Sequence, residues 1–181
     1  RRRFLTRLTG IASISAVSAL YASLTPPQMR GPFYPARLPP DSDADLTFVG
    51  QSQRQADGEI AILMGQVTRL NGTPVKNAVV EIWQCDAYGV YHHSRNDNGR
   101  DPFFQGFGRT KTDNHGHYRF RTIKPVAYPG RAPHIHIQIE TASVELVTQV
   151  YIKGDPLNAH DFLLNSISDD VARESSNAQM S

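Results

Sequence analysis

Residues 134 to 139 alternate strictly: His134, His136 and Gln138 interleave with Ile135, Ile137 and Ile139. That is the period of a β-strand with one polar and one apolar face. Side chains two apart in a strand point the same way, with Cα atoms roughly 6.5 Å apart. Two imidazoles at that spacing can converge on one metal ion. Tyr128 and Arg131 lie just upstream. Phenolate together with imidazole suits a hard, oxidised metal such as ferric iron, and this combination points to oxidative chemistry rather than hydrolysis.

The rest of the chain reads as strands joined by turns. Ile60–Arg69 and Val75–Gln84 are rich in β-branched and apolar residues, and Asn71-Gly72-Thr73-Pro74 between them is a strong turn. Asp113-Asn114-His115-Gly116 forms another turn ahead of the alternating run Tyr118–Thr122. His134–Glu140 and Glu145–Ile152 make a further pair. Nothing between residues 50 and 155 carries helical periodicity, so the expectation is an all-β chain, an antiparallel β-sandwich with little helix. The segment TPPQMRGPFYPARLPP, residues 25 to 40, holds six prolines and predicts an extended arm laid over a surface. A short helix is expected after Asp161, then a polar, frayed tail from Ser168.

With 181 residues and a hydrophobic fraction of 39%, one domain can bury a core without disulfides, and the single cysteine excludes an intrachain one. A net charge of +2 with no basic stripe in the body gives no reason to expect a nucleic-acid partner. The first residues, RRRFLTRLTGIASISAVSALYAS, place four arginines before a mild apolar run too short to span a bilayer. The RRxFL string and the small residues Val17-x-Ala19 resemble a twin-arginine export signal, which implies a periplasmic location. An amphipathic helix packed on the body is the alternative. The expected organisation is a signal segment over 1–22, the proline-rich arm over 23–50, a catalytic β-sandwich over 51–165 and a polar tail over 166–181.

Two further stretches carry chemistry. In VVEIWQCDAYGVYHHS, residues 79 to 94, a β-rich run ends in a loop that presents Tyr91, His92 and His93. In TQVY, residues 148 to 151, Gln149 interrupts an apolar strand, and such a residue needs a partner, which a ligand or oxygen species could supply. Together with GPFYP, GRTKTDNHGHYRFRTIKP and AYPGRAPHIH, these strings resemble the intradiol ring-cleavage dioxygenases, most closely the protocatechuate dioxygenase branch. The resemblance spans roughly residues 31 to 153, and five motifs in the family's order are far more specific than any one.

The resemblance implies a non-haem Fe(III) site ligated by Tyr91, Tyr128, His134 and His136, with Tyr128 the labile tyrosinate. It implies Arg131 and Gln149 as active-site residues, Arg131 stabilising negative charge on the reacting ring. The implied reaction cleaves a catechol-type diol with dioxygen to a cis,cis-muconate-type dicarboxylate, and the chain count is left open, a homo-oligomer included. Three positions depart from the family pattern. Five residues separate Tyr128 from His134, fewer than in well-known members; Gly130 stands where an aromatic is frequent; Arg30 precedes GPFYP where an acid is common. The shortened loop borders the pocket, Gly130 opens one wall of it, and Pro32 and Tyr34 are expected to line it.

The same residues have plainer readings. A His-x-His pair is often just exposed strand, Tyr91 could be a sheet-edge aromatic, and Arg131 a surface ion-pair former. Tyr88 reads as structural, Trp83 and Cys85 as core, and His92, His93, His115 and His117 as surface residues. Two rival functions remain at this point: a metal-free, transthyretin-like binding or scaffolding sandwich, and a zinc hydrolase. Paired tyrosines count against the latter, since zinc sites favour histidine, cysteine and carboxylate.

Overall fold

In a computed structural model that describes residues 24–93 and 99–178, the chain is an all-β sandwich. The export signal expected over residues 1–22 lies outside the described residues. A two-stranded sheet pairs β1 (Ile60–Gln66) with β4 (His117–Ile123). The second sheet has five strands, in the order β3 (Phe107–Lys111), β2 (Val79–Trp83), β5 (His134–Glu140), β6 (Glu145–Ile152) and β7 (Asn177–Ala178). All pairings are antiparallel except β6 with β7.

Alternation sorts the side chains. On β1, Ala61 and Leu63 are buried while Ile62 and Met64 face outward, and Leu63 stands opposite Phe120 of β4. Ile135 and Ile137 of β5 meet them from the other sheet, with Val80, Ile82 and Phe104 completing the core. The opposite face of the five-stranded sheet carries Trp83, Phe107, His134 and His136, and it is buried as well. Phe33 and Tyr34 of the proline-rich arm pack on it. The arm is thus extended over a surface, as its prolines dictate. It also bonds to β6, with the Gln28 N–H donating to the Val147 carbonyl at 2.8 Å.

Three sequence expectations need correction. The Asn71–Pro74 turn closes only a short antiparallel contact, Thr68 opposite Pro74, and the flanking strands do not pair with each other: β1 pairs with β4 while β2 pairs with β3 and β5. Gly116, at φ +77, brings the turn before β4 against the chain just past β1, where a Cβ would sit 2.5 Å from the Val67 carbonyl oxygen. Strand β3 was not foreseen, since Phe107-Gly108-Arg109 lacks the β-branched signature. The tail does not fray at Ser168. After a 3-10 turn (Pro156–His160) come α1 (Phe162–Asn165), α2 (Asp170–Ser175) and then β7, which joins the sheet.

Gln84 ties the two sheets together. Fully buried, its amide nitrogen donates to the Ile123 carbonyl at 3.0 Å and its oxygen accepts from the Thr122 hydroxyl at 2.9 Å. Gln84→Leu strands both partners in a dry interior, at about 1–3 kcal/mol for each buried group left unsatisfied. The expected outcome is a lower urea midpoint with an unchanged m-value.

Candidate active site

Four aromatic side chains from three segments converge on the buried outer face of the five-stranded sheet. His134 and His136 come from β5, two apart as the alternation predicts. Their ring centroids lie 5.0 Å apart. Tyr91 arrives at the end of the loop that follows β2, a loop braced by the Asp86 carboxylate, which accepts from the N–H groups of Tyr88, Val90 and Asp101. Tyr128 sits at the start of a tight turn in which the Arg131 N–H returns to the Tyr128 carbonyl at 2.9 Å. The two tyrosine rings meet edge to face at 5.7 Å, and Tyr128 lies 5.5 Å from His134.

Each imidazole is oriented by its surroundings. The Nδ1–H of His134 donates to the Ala132 carbonyl at 2.7 Å, which leaves the Nε2 lone pair directed at the Tyr91 hydroxyl, 3.4 Å away. This is the arrangement of a metal-ligating histidine, whose second nitrogen is held by a backbone carbonyl. His136 stacks on Trp83 at 4.8 Å, nearly parallel, and on its other side the arm passes so close that a Cβ on Gly31 would lie 3.3 Å from its Cε1. Phe33 stacks on Tyr91 at 4.6 Å.

Arg131 borders the cluster. Its Nε donates to Asp161 at 2.9 Å, one Nη donates to the Gln149 side-chain oxygen and to the Tyr151 hydroxyl at 3.2 Å, and the other Nη reaches 3.5 Å from the Tyr128 hydroxyl. Its side chain is only 8% exposed, so the surface ion-pair reading does not apply. The partner that Gln149 needs is therefore Arg131, and its amide nitrogen donates to the Met29 carbonyl at 3.2 Å. Elsewhere, His115 and His117 are exposed at their turn, Cys85 and Trp83 are core, and Tyr88 is exposed and bonded to Asp57. His92 and His93 are half-buried rather than on the surface, with His93 edge-on to Phe33 at 6.0 Å. Pro32 is exposed, whereas Tyr34 packs against Trp83.

Burial dominates the electrostatics. It pushes both tyrosine hydroxyls up, Tyr91 strongly, and for Tyr128 it outweighs the opposing pull of Arg131. Burial, helped by the charge of Arg131, depresses His134 to about 4 and holds His136 well below the usual histidine range. Without metal, all four groups are neutral, and two imidazole lone pairs stand ready. Among the described residues no cluster of three His, Cys, Asp or Glu could hold a metal, and the oxygen groups nearest the histidine pair are the phenols of Tyr91 and Tyr128. Two phenolates with one hydroxide balance a trivalent ion, a neutral assembly suited to a buried face.

The histidines also set a pH signature for metal-free protein. Their folded pKa values are depressed, so the unfolded chain takes up protons first as pH falls. That stability is full above 6.5 and is lost as pH drops towards about 4. The slope is about 1.4 kcal/mol per pH unit for each histidine. Urea midpoints measured across that interval should fall steadily, and a flat profile would contradict the buried neutral pair.

The geometry has counterparts among known proteins. A family model described as Dioxygenase matches residues 29–180. The chain is 43% identical over 130 residues to the protocatechuate 3,4-dioxygenase beta chain of Burkholderia cepacia, covering 66% of this chain and 55% of that one. It is 31% identical over 164 residues to the protocatechuate 3,4-dioxygenase alpha chain of Pseudomonas putida, covering 83% and 80%. Among solved structures, catechol 1,2-dioxygenase from Acinetobacter sp. ADP1 superposes with a TM-score of 0.62 at 31% identity, over 77% of this chain and 50% of that one. The chain spans about half the length of the first curated relatives it matches. On sequence, fold and family model together, the chain belongs to the intradiol ring-cleavage dioxygenases.

Proposed function

We propose that this chain opens the aromatic ring of a catechol-type diol between its two hydroxylated carbons, using dioxygen and a non-haem Fe(III) held by Tyr91, Tyr128, His134 and His136. The product is a cis,cis-muconate-type dicarboxylate. The observation that carries the reading is the convergence of two neutral imidazoles and two phenols beside a buried guanidinium. The relatives' names agree, since they include protocatechuate, catechol and hydroxyquinol dioxygenases.

Bound there, Fe(III) would supply Lewis acidity that activates a diol toward dioxygen. The protein's own groups divide the remaining work. His134 and His136, pinned by the Ala132 carbonyl and by Trp83, hold their lone pairs in place. Tyr91 is 2% exposed under Phe33 and stays put. Tyr128 is half-buried beside open space at Gly130, so its phenolate oxygen can swing outward and accept one diol proton. Arg131, a cation that does not deprotonate, stabilises the negative charge that develops on the ring. Gln149 keeps that cation aimed. A metal-free scaffold would have no use for this set, because burying four polar rings costs stability.

The proposal extends to a periplasmic location for the N-terminal export string. It also extends to assembly with further chains, since the protocatechuate relatives are named as alpha and beta chains.

Protein loaded with Fe(III) should be red-brown from phenolate-to-iron charge transfer, and colourless protein with a full equivalent of iron would refute the ligand set. Tyr91→Phe or Tyr128→Phe should bleach or shift the band, while Tyr88→Phe leaves it unchanged. Arg131→Ala should keep iron and colour yet slow single-turnover ring opening by roughly 10²–10³-fold. Loss of iron, or normal turnover, would remove Arg131 from its role.

A further inference from the structure

One carboxylate outside the set above reaches both halves of the site. Asp161 lies 30 residues beyond Arg131 in sequence and its side chain is fully buried. It divides its oxygens between two tasks. Oδ1 caps α1, accepting from the N–H groups of Leu163 at 3.1 Å and Leu164 at 2.9 Å. Oδ2 accepts from Arg131 Nε at 2.9 Å and from the Ala132 N–H at 2.9 Å. The far side of that Ala132 residue, its carbonyl, receives the Nδ1–H of His134. The cap fixes the carboxylate, and the carboxylate fixes the turn that carries a cation and leads into a histidine.

We propose that Asp161 is a positioning residue of the active site: through Oδ2, which also holds the Ala132 N–H, it aims the Arg131 guanidinium. This rests on the dioxygenase reading for its consequence, though not for its geometry. With Nε and one Nη occupied by buried acceptors, the Arg131 edge left over is the Nη that approaches Tyr128. A guanidinium held this way pays no reorganisation when charge appears on the substrate, which is the condition under which such a contact accelerates a reaction. Gln149 and Tyr151 alone are neutral acceptors on the opposite flank and leave rotation about the Nε bond open.

Asp161→Asn is the first test, because asparagine caps helices as well as aspartate does but has one acceptor oxygen where the carboxylate uses two. Asp161→Ser is the second: serine keeps the cap and is too short to reach Arg131. In metal-free, ¹⁵N-labelled protein, the wild type should show a protected Arg Nε–H resonance, assigned by its loss in Arg131→Lys. That resonance should move to the free-arginine position, or exchange away, in both Asp161 variants. After iron loading, both variants should keep iron and colour and slow single-turnover ring opening by roughly 10–100-fold, the usual scale for a residue one step removed from a metal site. In an Arg131→Ala background Asp161→Asn should add less than about twofold, since a residue acting through Arg131 has nothing left to act on.

Multiplicative loss in the double variant, unchanged turnover in the single ones, or an unmoved Nε–H resonance would each overturn the assignment. Failure of both variants to fold would assign Asp161 to the fold and likewise overturn it. If wild-type, iron-loaded protein opens no catechol ring, the dioxygenase reading fails by itself, and the Nε–H resonance alone then decides whether Asp161 aims Arg131.

Discussion

The structure turns on a central strand that is buried on both faces. Alternation alone would give β5 an inner face of isoleucine and an outer face for water, but the arm and the loops after β2 and β4 cover the outer face as well. A polar group on it then has to find its partner within the protein or in what the site binds. The consequences spread outward: His134 needs the Ala132 carbonyl, Gln149 on the neighbouring strand needs Arg131, and Arg131 needs Asp161. A buried polar network is costly unless complete, and the run from Gln149 through Arg131 to Asp161 draws distant segments around one strand, while His136 Nδ1, Gln138 Oε1 and Trp83 Nε1 on the same face have no protein partner among the described residues.

Short-range patterns were legible and long-range ones were not. Alternation over residues 134–139 placed both histidines correctly because period and facing are local properties of a strand. Tyr91, Tyr128 and Arg131 could be singled out from motif strings, and the structure brings them beside the histidine pair. Pairing is different. Whether β1 turns back on β2 or leaves for β4 depends on which surface offers a complementary apolar row, and Leu63 finds Phe120 more than fifty residues away. Asp161 shows the same limit: aspartate before an apolar run reads as a helix cap, and that is half of its work. The other oxygen's partners lie outside any local window. Trp83 was readable as core, but its stacking on His136 follows from cross-strand register alone.

The arm illustrates how sequence with little regular structure can still specify a site. Its prolines prevent it from folding on itself, so its backbone polar groups seek partners on the sheet, and its aromatic residues fill the hollow above it. Phe33 walls Tyr91, while Gly31 permits an approach to His136 that a side chain would block. Gln28 accepts from the Tyr151 hydroxyl, the same hydroxyl that receives Arg131. The arm is thus part of the wall rather than a wrapping.

Both ends of the described chain settle on the same side of β6. Near the start, Gln28 bonds to Val147; near the end, Tyr151 donates its N–H to Ser176 and Lys153 donates to Ala178. An uncovered strand of alternating apolar residues would be an adhesive margin, ready to recruit a stray strand from another molecule. Here the polypeptide closes that margin with the proline-rich arm and the two-residue β7, so the protection against aggregation is entrusted to segments with almost no regular structure of their own.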